Sequence, residues 1–386
     1  MGRNGQAAGL VYGGDITTMR ILFLSDRPPS GAKMADAYQT RLEGLSHGLQ
    51  AHGVETEFLS LRTLRVKGPH LLFSLNAPAI AKYAKNFDVI HAAGAGSATA
   101  ASVARWLNKH HVVFDVHGDE LMETRLEWDK KRSVRTAYLV FQSAVLTQVA
   151  RRLANTLLMV SGPFQERYAK RGVPESKMIV VRNGVDTSLF KPAPPRNDGT
   201  VRICYAGSFQ AWQAADVLQE ALAQNIRDGV HFHLIGFAEG DQELKAQFAG
   251  ILGDHATLEN RMPVDQLPDK LAPMDVLVIS RTRHPVMQGG LPSKFAEYLA
   301  MGKPLIVTNV DETSKFVREA ECGLVCEPTV ESMSAAIRTA SQWSAEERQR
   351  MGENARHLAE TTFDWKVLAK HYLDELQPRL NKGGRS

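Results

Sequence analysis

Cysteine is scarce in this sequence: 386 residues contain only Cys204, Cys322 and Cys326. A number so small and odd argues against a disulfide framework and points to a reducing, cytoplasmic setting. Cys322 and Cys326 are separated by three residues, but no neighbouring His or Cys completes a zinc site. Long apolar runs are missing as well. No stretch approaches ~20 uninterrupted apolar residues, so no transmembrane helix is expected. Residues 1–18, MGRNGQAAGLVYGGDITT, lack the apolar centre of a secretory signal and read as a disordered leader. A strong charge of either sign is also absent. The formal charge of +4 is too weak to argue for nucleic acid, and no nucleic-acid-binding motif occurs. It fits anionic substrates or a membrane surface.

What is present is a globular composition, 44% apolar and 23% charged, in a chain long enough for two cores. The first half alternates. Arg20 to Ser25 is a short apolar run, hence a buried strand; a helical pattern through Leu42, Leu45 and Leu49 ends at Gly53; Val54 to Leu61 returns as a strand. Phe87 to His91 is a strand before the glycine loop AAGAG and a helix over Ala98 to Leu107. Val112 to Val116 delivers His117, Gly118, Asp119 and Glu120 at its C-terminal end. One long helix is expected over Glu127 to Ala154, then a strand from Thr156 to Val160, a helix capped by Ser161 and closed by Gly172, and a strand from Met178 to Val181.

Lys191 to Gly199, KPAPPRNDG, reads as a linker. Beyond it come strands at Val201, at His231 to Gly236, at Asp275 to Ser280 and at Pro304 to Asn309, with helices between them and a long polar helical tail. This alternation predicts an α/β protein with two Rossmann-like, doubly wound parallel sheets facing a cleft, its sites at the strand C-terminal ends. The expected boundaries are 19–190 for the first domain, 191–200 for the linker, 201–361 for the second, 362–378 for a final helix and 379–386 for a tail.

The stretch Gln288 to Pro304, QGGLPSKFAEYLAMGKP, is where a nucleotide site is expected. Two glycines lead into Pro292, which suits a first helical turn, and Gly302 with Pro304 stops the helix. A helix start favours phosphate through its free N–H groups and dipole. Lys294 sits in that turn and Glu297 lies three residues on, so both share one face. The cation suits phosphate, and the carboxylate suits two ribose hydroxyls. The alternative is an amphipathic helix with both side chains in solvent.

From Met19 to about Leu373 the chain resembles the GT-B-fold retaining glycosyltransferases of family 4. The resemblance rests on Val160 to Pro192, Tyr205 to Trp212, His233 to Gly240, Pro292 to Ile306 and Phe363 to Leu373. It implies a nucleotide-sugar donor in the C-terminal half, an acceptor in the N-terminal half, and a last helix crossing back onto the N-terminal domain. Glu297 matches the second glutamate of the family's pair; the first falls on Gly289. The PSK-x-x-EY form looks like a subgroup. The family's Arg after Gly207, and the Lys five residues beyond it, are here Ser208 and Gln213. The usual Gly-Gly before the first helix is replaced by Ala35, Asp36 and Ala37, with Gly31 nearest.

The resemblance implies His117 near the reacting carbon, a structural hydrogen-bond partner at a strand end being the alternative; with both family cations missing, Lys294 is expected to be the main cation for the departing diphosphate. Gly207, Ser208, Gly290, Leu291, Ser293 and Glu297 would surround the donor, with Arg281 or Arg283 as a second cation. Gly31, Asp119 and Glu120 fall on the acceptor side, although loop carboxylates in solvent are an equal reading for the last two. Asp186, in the NGVD signature, reads as structural. No DxD-like motif occupies the centre, and relatives of this fold work without a divalent ion, so neither metal nor other cofactor is expected. The implied activity is transfer of a sugar from an NDP-sugar to a hydroxyl of a glycan, lipid-linked or small-molecule acceptor. Its rival is a binding protein or partner subunit without turnover; an epimerase on the same fold ranks below both. Lys130 to Arg152 has cations at both ends and an apolar middle, which fits either peripheral contact with an anionic inner-membrane face or a buried core helix.

Overall fold

The computed structural model describes residues 19–26, 37–66, 68–194, 196, 198–284 and 289–383. The expected leader, Gly31 and residues 384–386 lie outside the described residues. The first sheet contains β1 (Arg20–Ser25), β2 (Glu55–Ser60), β3 (Val89–Ala93), β4 (His111–Val116), β5 (Thr156–Met159) and β6 (Met178–Val180), in the order β2-β1-β3-β4-β5-β6. The second contains β7 (Val201–Ala206), β8 (Val230–Phe237), β9 (Ala256–Asn260), β10 (Val276–Ile279), β11 (Leu305–Thr308) and β12 (Gly323–Cys326), in the order β12-β11-β10-β7-β8-β9. All these pairs are parallel. Such sheets are buried on both faces, which is why β1, β3 and β10 read as nearly continuous apolar runs. The expected two-sheet α/β architecture is therefore present.

Strand order reverses between β7 and β10 in the second sheet, and between β1 and β3 in the first. Crevices at strand C-terminal ends open at such points. The loops after β7 and β10 are therefore the ones that frame a ligand.

Several elements differ from expectation. The long helix over Glu127 to Ala154 is instead two helices, Glu120–Lys130 and Val134–Leu153. Ser133 starts the second through a reciprocal capping box with Thr136, which satisfies amides that a continuous helix would not leave free. Strands β9 and β12 sit at opposite edges of the second sheet and were not foreseen. The helix after β3 spans Ala95–Ala104, three residues earlier at each end than expected. The tail holds the helices Val330–Ala340, Ala345–Leu358 and Trp365–Gly383.

The last of these helices packs on the N-terminal sheet. Trp365, Leu368, Ala369, Tyr372, Leu373 and Leu376 share one core with Ile21, Phe23, Leu42, Leu45 and Leu49. A Cβ on Gly44 would overlap the Trp365 indole, so the glycine permits the close approach of the two helices. Beneath this seam Arg41 and Asp115 are fully buried and joined by hydrogen bonds of 3.0 Å from Nε and Nη2. His91 bridges Asp115 to the Tyr372 hydroxyl, with 3.2 Å on each side. Arg41 Nη1 also donates to the Arg182 carbonyl, 3.0 Å away.

Candidate active site

The helix Ser293–Ala300 is held onto β7 by its own Tyr298, whose buried hydroxyl donates to the Ala206 carbonyl at 2.8 Å and accepts from the Ala206 amide at 2.7 Å. This fixes the first turn over the end of β7. There Lys294 Nζ lies 4.3 Å from the Tyr205 ring centroid and donates to the Tyr205 hydroxyl at 3.2 Å. A Cβ on Gly207 would collide with that ammonium, so the glycine at φ +150° leaves Lys294 its place.

Lys294 and Glu297 line one cleft of about 570 Å³. Both keep some exposure to it, but protein surrounds them closely enough for desolvation to dominate their titration. Burial pushes Lys294 down to about 7, with the Arg281 charge adding to the effect and Glu297 opposing it. Burial pushes Glu297 up to about 7, partly offset by Lys294. The Glu297 carboxylate accepts no hydrogen bond from the described residues, although its neighbours are closely packed. Its acceptor capacity is therefore open to the two cavities it borders, this cleft and a smaller one beside Trp365.

The same cleft brings together His117, Gly207, Ser208, Arg281, Gly290, Leu291 and Ser293 with this pair. His117 comes from the N-terminal domain at the end of β4, its ring edge-on to Tyr38 at 4.4 Å. Arg281 is buried and ion-paired with Asp311, and its Nη1 donates to the Gly290 carbonyl at 3.0 Å. It thus holds the glycine turn as well as adding positive charge. Arg283 is not in the lining; its guanidinium is paired with Glu327 on the exposed surface.

Asp119 and Glu120 also lie outside the lining. Asp119 caps the helix Glu120–Lys130 by accepting from the Met122 amide at 3.1 Å, and pairs with Arg167 at 3.2 Å. Glu120 accepts from the Ala95 amide at 3.0 Å, a carboxylate at a helix start, and burial raises its pKa to about 7. Asp186 accepts from the Ser188 amide and hydroxyl at 2.8 and 2.6 Å, closing a turn.

The N-terminal domain closes directly onto the turn that precedes the helix Ser293–Ala300. Ser161, which caps the helix Gly162–Lys170, donates its hydroxyl to the Gly289 carbonyl. Asn183 Nδ2 donates to the Leu291 carbonyl at 2.8 Å, and Arg182 pairs with Glu312 at 3.1 Å. Phe164 lies against Gly289 and lines the cleft.

Among the lining residues that escaped the sequence reading of the site are Arg261, Trp212, Glu123 and Phe164. Arg261 follows β9, is exposed to the cleft and forms no ion pair among the described residues. Gln213, where the family has Lys, is buried, with its Oε1 unbonded among the described residues.

Comparison with known families bears on this cleft directly. Residues 186–358 match the family described as Glycosyl transferases group 1, and residues 38–189 match Glycosyltransferase Family 4. Glycosyltransferase family models thus match both halves of the chain. Those two matches cover the two domains that bound the cleft. The colanic acid biosynthesis glycosyltransferase WcaL of Escherichia coli K12 is 25% identical over 232 residues, which span 58% of this chain and 57% of that protein. The MMP alpha-(1->4)-mannosyltransferase of Mycolicibacterium hassiacum is 25% identical over 310 residues, 77% of this chain and 72% of that one. The Anabaena HepE structure in complex with UDP superposes with a TM-score of 0.70 at 18% identity, covering 93% of this chain and all of that one. The catalytic domain of Arabidopsis thaliana starch synthase IV bound to ADP and acarbose gives 0.71 at 12% identity, covering 95% of this chain and all of that domain. Both structures share the GT-B fold.

Proposed function

We propose that this protein is a retaining glycosyltransferase that moves a sugar from a nucleotide diphosphate to an acceptor hydroxyl. The acceptor is a glycan, a lipid-linked saccharide or a small molecule. The observation that carries the reading is the Lys294–Glu297 pair, set in one helical turn at the point where strand order reverses. A nucleoside diphosphate presents there the two features the pair lacks among protein groups: an anion for a desolvated ammonium, and hydroxyls for an unbonded carboxylate. That the Anabaena neighbour was crystallised with UDP supports the donor class.

In this reading Glu297 accepts the ribose hydroxyls and fixes the nucleoside. The diphosphate then lies over the start of the helix Ser293–Ala300, with the amides beside Gly290, Leu291 and Ser293. Burial lowers the Lys294 pKa to about 7, and an arriving diphosphate favours its ammonium form. Charge developing on the departing oxygen thus meets a cation already in place, in a site with little water to reorganise. Arg281 adds a fixed positive field from behind Gly290, and Arg261 is the second cation able to reach the phosphates. His117 approaches from the acceptor side, at the reacting carbon. Bringing donor and acceptor together between two domains supplies the rest. No divalent ion enters this mechanism.

The rival reading is a binding protein or partner subunit, favoured by Ser208 and Gln213 where the family has two cations. Donor hydrolysis across UDP-, GDP- and ADP-sugars separates the two. The proposal expects slow sugar release from at least one donor. Tight NDP-sugar binding with no hydrolysis or transfer would favour the rival.

A further inference from the structure

The helix Val134–Leu153 carries an outward apolar stripe in its first half, although Leu139 and Val140 on its other side are half-buried. Val134, Tyr138 and Phe141 recur at helical spacing, so they lie on one face, and that face points outward. Val134 is 89% exposed and Phe141 60%. The inner side buries Ser143, Leu146 and Ala150, while Gln142, on the flank of the stripe, accepts from the Tyr138 hydroxyl at 3.1 Å. Apolar area left in water is unfavourable, so a contiguous outward apolar stripe marks a surface that something else covers.

Charge says what covers it. The stripe begins at the turn between the helices Glu120–Lys130 and Val134–Leu153. Lys130, Lys131, Arg132 and Arg135 crowd that turn; all four are exposed, and none forms an ion pair among the described residues. Glu127 and Asp129 precede them but leave the tip net positive. The first helix of the pair has no buried residue, whereas the second enters the core of the domain through Leu146 and Ala150, so the tip between them is the outermost part of this hairpin. Its base is at the cleft. Glu123 lines the cleft wall, and Asp119 ties the root of the hairpin to Arg167 on the helix Gly162–Lys170.

We propose that this hairpin docks onto an anionic lipid bilayer surface, with Val134, Tyr138 and Phe141 entering the headgroup region and the four cations on the phosphates. Cations flanking an exposed apolar stripe are the arrangement that binds anionic lipid in the interfacial plane. Docking at this edge brings the cleft to the bilayer surface, so of the acceptors left open by the proposed function it selects a lipid-linked one. This inference rests on that function for the acceptor, but not for the docking itself.

The test is co-sedimentation of the full chain with vesicles of phosphatidylcholine alone and of phosphatidylcholine mixed with phosphatidylglycerol. Binding is expected only to the mixed vesicles and to fall as sodium chloride is raised. A triple variant, Lys130→Glu with Lys131→Glu and Arg132→Glu, should lose affinity by at least roughly fivefold per cation removed. Val134→Ser with Phe141→Ser should weaken binding while leaving its salt dependence in place. Both variants alter exposed positions away from the cleft, so thermal melting and NDP affinity should match the wild type. Binding that ignores anionic lipid, or that survives both sets of substitutions, overturns the proposal. So does a dimer in sedimentation velocity that the Val134→Ser, Phe141→Ser variant dissolves, because a second copy would then be what covers the stripe. Failure of NDP binding in the wild type would instead count against the proposed function and leave the vesicle result standing.

Discussion

Gly289 lies flat against Phe164, so that a Cβ at this position would come 2.5 Å from Phe164 Cδ2. Its φ of +117° is also one that side-chain-bearing residues rarely adopt. The position that carries the first glutamate in the resembled family is therefore the seat of an aromatic ring from the other domain. Gly289→Glu should not restore a lost ligand. It should force the Ser161–Gly289 and Asn183–Leu291 contacts apart and lower kcat/KM for donor hydrolysis by about tenfold or more, from strain of about 1–3 kcal/mol plus the overlap. Adding Phe164→Ala should recover part of that loss. A Gly289→Glu enzyme with raised activity would contradict this reading of the seam.

Arg261 and Arg283 should part company. Arg261 faces the cleft without an ion-pair partner among the described residues, whereas Arg283 is committed to Glu327. A charge-assisted hydrogen bond contributes about 1.5–3 kcal/mol. Arg261→Ala should therefore weaken NDP by about 10- to 100-fold in calorimetry, while Arg283→Ala stays near wild type. Equal effects from the two would show that Arg261 does not reach the phosphates.

Proton linkage gives a third expectation, and the two groups act in opposite senses. Lys294 sits near 7 because burial disfavours its ammonium; a bound diphosphate raises that value, so binding above pH 7 takes up a proton. Glu297 also sits near 7, raised by burial; ribose hydroxyls favour its ionised form, so binding below pH 7 releases a proton. Calorimetry in buffers of different ionisation enthalpy should show release at low pH changing to uptake at high pH. In Lys294→Ala the uptake should vanish. Uptake that persists in that variant would assign the proton elsewhere.

Arg41 anchors the crossing helix through Asp115 and His91. Removing one partner of a buried pair strands the other charge, at a cost of about 3–5 kcal/mol. Arg41→Ala should lower the urea midpoint accordingly, with the m-value little changed. A loss under about 1 kcal/mol, below that range, would mean that Asp115 finds another partner.

Much of this was legible in the chain, for local reasons. Arg20 to Ser25 could be read because a strand covered on both faces is apolar throughout, and Ser161 because a serine before Gly-Pro is a strong helix start. What failed was long-range or marginal. Strand β9, ATLEN, is half-exposed at a sheet edge and has no apolar run to announce it. The break at Ser133 was masked by a continuous stretch of helix formers, and its cap partner Thr136 is a weak signal. Spacing could place Lys294 and Glu297 on one face, but it could not tell Arg281 from Arg283. Both follow β10; only the fold decides that one is held under Gly290 by Asp311 and the other turns out to Glu327. Arg261 and Phe164 reach the cleft from other elements entirely, and no local pattern points to them.

The central claim is that Lys294 meets the diphosphate. Titrating wild type and Lys294→Ala with nucleoside, NDP and NDP-sugar by calorimetry tests it most directly. The account predicts that NDP and NDP-sugar affinity fall by about 10- to 100-fold, as for loss of a charge-assisted bond, while nucleoside affinity stays unchanged. An equal loss for all three ligands, or none for any, would contradict it.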